Sequence, residues 1–142
     1  MRYYFNIGTN LGDRHQNVGR AIAALCALGT RCRVSKPMES EPWGFDSANR
    51  FLNVGVALDL DLPPHEVLDC VHDIERRLGS AAHRHADGSY ADRLVDIDIM
   101  AIDDPHGQPV DINTPTLTVP HPHLHDRDFF LLPYQQLKHL LD

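Results

Sequence analysis

The sequence predicts an α+β fold, an antiparallel sheet with two helices on one face and a C-terminal extension. Three observations carry that prediction. Apolar periodicity switches cleanly between two and about 3.6 along the chain, which separates strands from helices. Glycine or proline stands at most of the switches, where it starts or stops an element. The resulting order is β-α-β-β-α-β.

Arg2 to Gly8 alternates, with Tyr3, Phe5 and Ile7 on one face, and reads as the first strand. Gly8-Thr-Asn-Leu-Gly-Asp-Arg14 is a turn-rich loop. It lacks the lysine and terminal Ser/Thr of a P-loop and is better suited to floor a substrate site. A helix follows, with Val18, Ile22, Leu25 and Leu28 on one stripe and Gly29 as its stop. Cys32 to Met38 reads as a second strand, interrupted by Lys36-Pro37, and Glu39 to Asn49 as a loop. Phe51 to Leu60 is the clearest strand, because Leu52, Val54, Val56, Leu58 and Leu60 alternate without a miss. Pro63-Pro64 opens the second helix, where proline is tolerated, and Val67, Val71, Ile74 and Leu78 line it up to Gly79. Ser80 to Asp92 is a polar loop. The fourth strand carries Val95, Ile97 and Ile99 on one face, with Asp96 and Asp98 on the other. Asp103 to Gly107 is a turn, and Leu117-Thr-Val-Pro-His121 leads to a short terminal helix around Asp126 to Tyr134.

Two helices among four strands are the elements of a ferredoxin-like split βαβ sheet. Both helices would cover one face and leave the other open, with Phe51, Asn53, Asp96 and Asp98 looking out on it. An aromatic, an amide and two carboxylates on one exposed surface make a site, not a core.

Composition narrows the function. The 142 residues suit one domain spanning 1–142, and neither repeats nor linkers divide it. A net charge of −7 argues against nucleic acid or an anionic membrane as the main partner, though not against a nucleotide brought in with a divalent metal. Three cysteines without a Cys-x-x-Cys argue against a disulfide framework or zinc cluster, and Cys26 and Cys70 read as packing residues. With neither a signal-peptide pattern nor an 18-residue apolar run, the chain reads as soluble and cytoplasmic.

The chemistry concentrates in Arg93-x-x-Asp96-x-Asp98. Two residues apart on a strand, the carboxylates start roughly 6.6 Å apart, close enough to share one hard cation or straddle two. Buried in an apolar core they would be prohibitively costly, so their face must be wet, metallated or both. The bland alternative is a solvated edge strand. His121-Pro-His-Leu-His125 has three histidines at spacing two that could line one strand face as metal ligands, but this is the lesser reading of the segment.

Six signposts appear in order: Ile7-Gly-Thr-Asn-Leu-Gly12, Glu41-Pro-Trp-Gly44, Phe51-Leu-Asn53, Ile74-Glu75, Asp92-Arg-Leu-Val-Asp-Ile-Asp98, and Leu117-Thr-Val-Pro-His121 with Arg127-Asp-Phe129. Together they resemble the 6-hydroxymethyl-7,8-dihydropterin pyrophosphokinase family, from Tyr4 to about Leu137. The resemblance implies pyrophosphoryl transfer from ATP to the pterin hydroxymethyl group, releasing AMP, in folate biosynthesis. It implies two Mg²⁺ ions on Asp96 and Asp98, with Arg93 beside them in the catalytic set. Arg93, His121 and Arg127 match phosphate-holding positions, and Glu75, Ile99, Leu117 and Thr118 fall on the ATP side. For the pterin it implies a flat slot, with Phe51 and Phe129 stacking on the ring and Asn53 bonding its edge. Ser40, Pro42, Trp43 and Gly44 complete that slot. The substrates are thus small molecules, and a monomer is expected, with a dimer as the alternative.

The chain departs from the family pattern at Ser80 and Thr116, where arginines are common, and at Tyr90, where tryptophan is usual. His83 or Arg84 could serve the loop in their place. Two other readings therefore stand beside the enzyme. One is a pterin- or nucleotide-binding relative without catalysis, the other a ferredoxin-like interaction module.

Overall fold

Both periodicities fold into the elements they imply. In the computed structural model, which describes residues 1–41, 50–79 and 95–141, the first strand is β1 (Arg2–Thr9) and the first helix α1 (Arg14–Cys26). Asp13 caps α1, its carboxylate accepting the Gln16 N–H at 3.1 Å. The long central strand is β4 (Phe51–Asp59), preceded by β2 (Thr30–Val34) and β3 (Met38–Ser40). Helix α2 (Pro64–Arg77) follows, and Gly79, at φ 90°, closes its last turn by donating its N–H to Arg76 O. The carboxylate strand is β5 (Asp96–Asp103). A two-stranded ribbon of β6 (Ile112–Asn113) and β7 (Thr118–Val119) then leads into α3 (Asp128–Leu141).

The main sheet runs β2-β4-β1-β5, with β3 beside β2 on the same edge of β4, and every pairing is antiparallel. The architecture is α+β, an antiparallel sheet with three helices. Tyr3, Phe5 and Ile7 share one core with Val54, Val56 and Leu58 of β4 and Val67, Val71 and Ile74 of α2, as the alternation predicts. No described helix is long and apolar enough to cross a membrane.

Three expectations need correction. The predicted second strand is two short strands. At the break, Ser35 Oγ accepts the Gly55 N–H at 2.8 Å, and Pro37 has no N–H for a ladder. The chain then pairs again, Met38 opposite Asn53 and Ser40 opposite Phe51, so Glu39 and Ser40 are strand, not loop.

The second correction concerns cysteine. Cys26 and Cys32 form a disulfide with Cα atoms 5.7 Å apart, and Cys70 is free. The α1–β2 connection is tight, and Arg31, the second residue of β2, takes φ 54°, next to Cys32, which packs with Cys26 against the helix-side core. An odd count does not forbid one local pair.

The third concerns the open face. The terminal helix runs to Leu141, well past Tyr134, and lies across that face. Leu137 is fully buried against a second cluster of Tyr4, Ala57, Met100 and Ala101. A β-bulge between Tyr4 and Phe5 makes this possible, since Tyr4 pairs with Ala101 while Phe5 pairs with Ile99. The extra residue, Met100, joins Ala101 on the α3 side and leaves Ile102 in phase with Ile99 on the helix side. Tyr4 and α3 are joined at Asp103, which accepts from the Tyr4 hydroxyl at 2.9 Å and from Lys138 Nζ at 3.2 Å. Burial, then the Asp103 carboxylate, pushes the Tyr4 phenol well above its ordinary pKa, so it stays a donor.

The histidine run does not take up its metal-binding alternative. Pro122 to Asp126 form a turn in which Leu124 N–H donates to His121 O at 3.0 Å, so the three histidines do not line a strand face. Predicted features at Pro42, Trp43, Gly44, Ser80, His83, Arg84, Tyr90 and Arg93 lie outside the described residues.

Gly55 marks how closely α3 approaches. A Cβ there would stand 2.9 Å from Leu137 Cδ1 and 3.0 Å from Pro133 Cβ. Gly55→Ala should therefore destabilise the fold by about 1–3 kcal/mol through overpacking, read as a lower urea midpoint at unchanged slope.

Candidate active site

With α3 covering one half of the sheet face, the other half is left as a cavity of about 330 Å³. Its floor is fixed by strand register. Gly8 of β1 pairs with Asn53 of β4 on one side and with Asp96 of β5 on the other. The next rung is Gly55–Asn6–Asp98. The amide and the two carboxylates are therefore held on one face by main-chain ladders, with Gly8 between them. A Cβ at Gly8 would stand 3.4 Å from both Asn53 Oδ1 and Phe51 Cδ1, so the missing side chain is itself part of the space.

Asn53 is buried and its orientation is decided by its donors. Nδ2 gives its hydrogens to Ser40 Oγ at 2.7 Å and Met38 O at 3.2 Å, tying β3 to the site. The carbonyl oxygen is left over Gly8 as an acceptor for a ligand N–H. Phe51 and Glu41 complete this wall, and Phe129 and Phe130 face the same space from the start of α3. Arg127, just before α3, accepts the Phe130 and Leu131 N–H groups at its carbonyl and carries its guanidinium 5.6 Å from the Phe130 ring centre. Burial lowers its pKa, while the fields of Asp126 and Asp98 act against that.

His121 is anchored to the carboxylate strand through its main-chain N–H, which donates to Met100 O at 2.8 Å. Its ring packs edge-on to Phe130 at 5.0 Å. Burial pushes the imidazole down to about 4, with the charges of His123 and Arg127 adding to the effect. It is neutral at pH 7. Because Nδ1 accepts the His123 N–H at 3.1 Å, the proton sits on Nε2, which is then a hydrogen-bond donor.

Of the sequence-predicted residues, the cavity brings together Ser40, Phe51, Asn53, Asp96, Asp98, His121, Arg127 and Phe129. It does not include Glu75, Ile99, Leu117 or Thr118. Glu75 instead accepts the Ile97 N–H at 2.9 Å, between the two carboxylates, and so holds β5 in place from α2. Ile99 and Leu117 are buried in the helix-side core, and Thr118 is exposed opposite Asn113 on β7. Sequence reasoning missed Asn6, Glu41, His123 and Phe130 as lining residues. Asn6 was legible in principle, as an amide in the alternation of a buried strand. His123 was not, since the turn that brings its ring 6.0 Å from His121 has no periodicity.

Among the described residues no group of three or more His, Cys, Asp or Glu side chains could hold a metal by itself. The donor set is two carboxylates on neighbouring rungs. That is too few and too hard for structural zinc, but it suits Mg²⁺, which keeps water and completes its shell with substrate phosphate oxygens.

Comparison with known proteins gives the same direction. Residues 4–139 match the family described as 7,8-dihydro-6-hydroxymethylpterin-pyrophosphokinase. The 2-amino-4-hydroxy-6-hydroxymethyldihydropteridine pyrophosphokinase of Porphyromonas gingivalis is 39% identical over 131 residues, covering 92% of this chain and 86% of its own length. The Bacillus subtilis protein of that name is 32% identical over 136 residues, covering 94% and 76%. A folic acid synthesis protein of Dictyostelium discoideum is 30% identical over 137 residues, covering 94% of this chain and 19% of its own length.

The buried neutral histidine makes stability depend on pH. Unfolded, the ring protonates near 6.5; folded, only near 4. Between these values the unfolded chain binds the extra proton, so the contribution is complete above about pH 6.5 and is lost as pH falls toward 4. Urea melts over that window should show the slope, and His121→Gln should flatten it. Equal slopes in the two proteins would refute the assignment.

Proposed function

The chain belongs to the 7,8-dihydro-6-hydroxymethylpterin-pyrophosphokinase family, and we propose that its cavity joins ATP to the hydroxymethyl group of the dihydropterin. It is a transferase of folate biosynthesis that places a pyrophosphoryl group on the pterin alcohol. The observation that carries the residue assignment is the rung Asn53–Gly8–Asp96, which sets a ring-edge acceptor and a cation ligand on either side of a residue with no side chain.

At the pterin end, Asn53 Oδ1 accepts from a ring N–H, and Phe51 and Phe129 flank the ring faces. Aromatic stacking adds about 0.5–1.5 kcal/mol beyond burial, and the oriented amide supplies selectivity. Ser40 acts through Asn53 by fixing which way the amide points. By the family resemblance alone, Pro42, Trp43 and Gly44 are assigned to pterin binding.

At the phosphate end, His121 donates from Nε2 and Arg127 offers its planar fork of donors. By the family resemblance alone, Arg93 is assigned as a further phosphate holder. Asp96 and Asp98 would hold the Mg²⁺, two ions by the family resemblance, and the bound metal would neutralise charge on the phosphate oxygens. Glu75 serves the nucleotide side by fixing β5, and Ile99, Leu117 and Thr118 contribute main-chain groups, the first two having buried side chains. The hydroxymethyl oxygen attacks the β-phosphorus, the bond to the bridging α–β oxygen breaks, and AMP leaves. The hydroxyl proton passes to solvent. With His121 neutral and already protonated at Nε2, the rate rests on positioning and charge stabilisation.

The strand order β2-β4-β1-β5 with antiparallel neighbours supports the ferredoxin-like topology. We also assign residues 1–142 to one domain, monomeric and cytoplasmic. Ser80 and Thr116 do not displace the enzyme reading, because the matched family and the named relatives are pyrophosphokinases.

Release of AMP from ATP, followed with and without the pterin alcohol and with and without Mg²⁺, tests the function. AMP should appear only when all three are present. Asp96→Asn and Asp98→Asn should each lower turnover by at least about 100-fold with little change in Tm. Gly8→Val, which fills the floor between Asn53 and Phe51, should raise the KM for the pterin roughly tenfold or more while leaving that for ATP within about twofold.

A further inference from the structure

One of the two aromatics proposed to flank the pterin, Phe129, sits on a helix with a proline in it. In an unbroken α-helix the carbonyl of residue 129 would accept the N–H of residue 133. Residue 133 is Pro133, which has no N–H and whose ring crowds the carbonyl four residues earlier. The Phe129 carbonyl thus loses its helical donor. Asn6 of β1 supplies the substitute, its Nδ2 donating to Phe129 O at 2.9 Å across 123 residues of sequence. Asn6 is 2% exposed. A buried amide is unfavourable unless its hydrogen bonds are made, and an aliphatic residue would serve the sheet as well. Its cross-strand partner on the same rung is Gly55, over which Pro133 packs. One rung therefore provides both what the proline needs in space and what it removes in hydrogen bonding.

We propose that Asn6 is a positioning residue for the pterin. Through the Phe129 carbonyl it fixes the first turn of α3, and with it the ring that covers the slot. This rests on the pyrophosphokinase reading for its substrate, but the hydrogen bond can be tested without any substrate. Pro133→Ala restores an N–H to the helix, so it makes Asn6 dispensable.

The experiment uses four proteins: wild type, Asn6→Ala, Pro133→Ala and the double variant. In the AMP-release assay, Asn6→Ala should raise the KM for the pterin alcohol about tenfold, with the KM for ATP and kcat within about twofold of wild type. The double variant should return the pterin KM to within about threefold of wild type. A merely structural role would move both KM values or only the Tm. An unchanged pterin KM in Asn6→Ala, or no recovery in the double variant, overturns the proposal. Thermal unfolding of the same set should be non-additive, Asn6→Ala lowering Tm less in the Pro133→Ala background than in wild type; additive shifts overturn it. If wild type itself releases no AMP, the functional reading fails, and this non-additivity still decides whether Asn6 holds the helix.

Discussion

The whole site depends on β1 lying between β4 and β5. An antiparallel ladder on each side fixes the register, and in a ladder a slip of one residue would send every side chain to the opposite face. Because both ladders are locked to the same strand, an amide from β4 and a carboxylate from β5 meet over Gly8 although 43 residues separate Asn53 from Asp96 in sequence. The apolar alternation on the other face, packed under α1 and α2, supplies the energy that enforces this register. Core and site are two sides of one constraint.

The second determinant is how far α3 reaches. A fully exposed sheet face would leave the two carboxylates and the amide in open water, where each interaction with a ligand is weakened by solvent. A helix covering the entire face would leave no site. The bulge at Tyr4–Phe5 divides the two regimes. Beyond it, Met100, Ala101 and Tyr4 offer an apolar bed for Leu137, with Lys138 and Asp103 closing the far end. Short of it, the face keeps Asn6, Gly8, Asp96 and Asp98, and α3 contributes only its first turn.

What was legible in the sequence was whatever is written in period. The strand faces, the two helices on one side, the pairing of Asp96 with Asp98 and the place of Phe51 and Asn53 all follow from side-chain alternation. What was not legible depends on contacts between distant segments. The extent of α3 follows from a bed that exists only after a bulge has shifted phase at Met100, and bulges leave little trace in a single sequence. The Cys26–Cys32 pair depends on the backbone of a tight turn, not on a cysteine count. The direction of the Asn53 amide depends on β3, a strand of three residues that the proline before it concealed. The roles of Glu75 and Asn6 are main-chain bonds made by side chains, which pattern reading assigns to surface or core but not to a partner.

Strand β5 ends the sheet on one side, and three of its main-chain groups on that side have partners outside the sheet. Glu75 takes the Ile97 N–H, the His121 N–H takes Met100 O, and the Val110 N–H takes Ile102 O. A bare sheet edge is a template on which another chain can add a strand. Here each of those contacts belongs to the protein's own helix, turn or loop, and one of them is a negative charge. On the opposite side, β2 is short and carries Arg31 and Arg33, so two copies approaching edge to edge would bring like charges together. The same contacts that steady the carboxylate strand thus take up main-chain groups that would otherwise be open to an added strand.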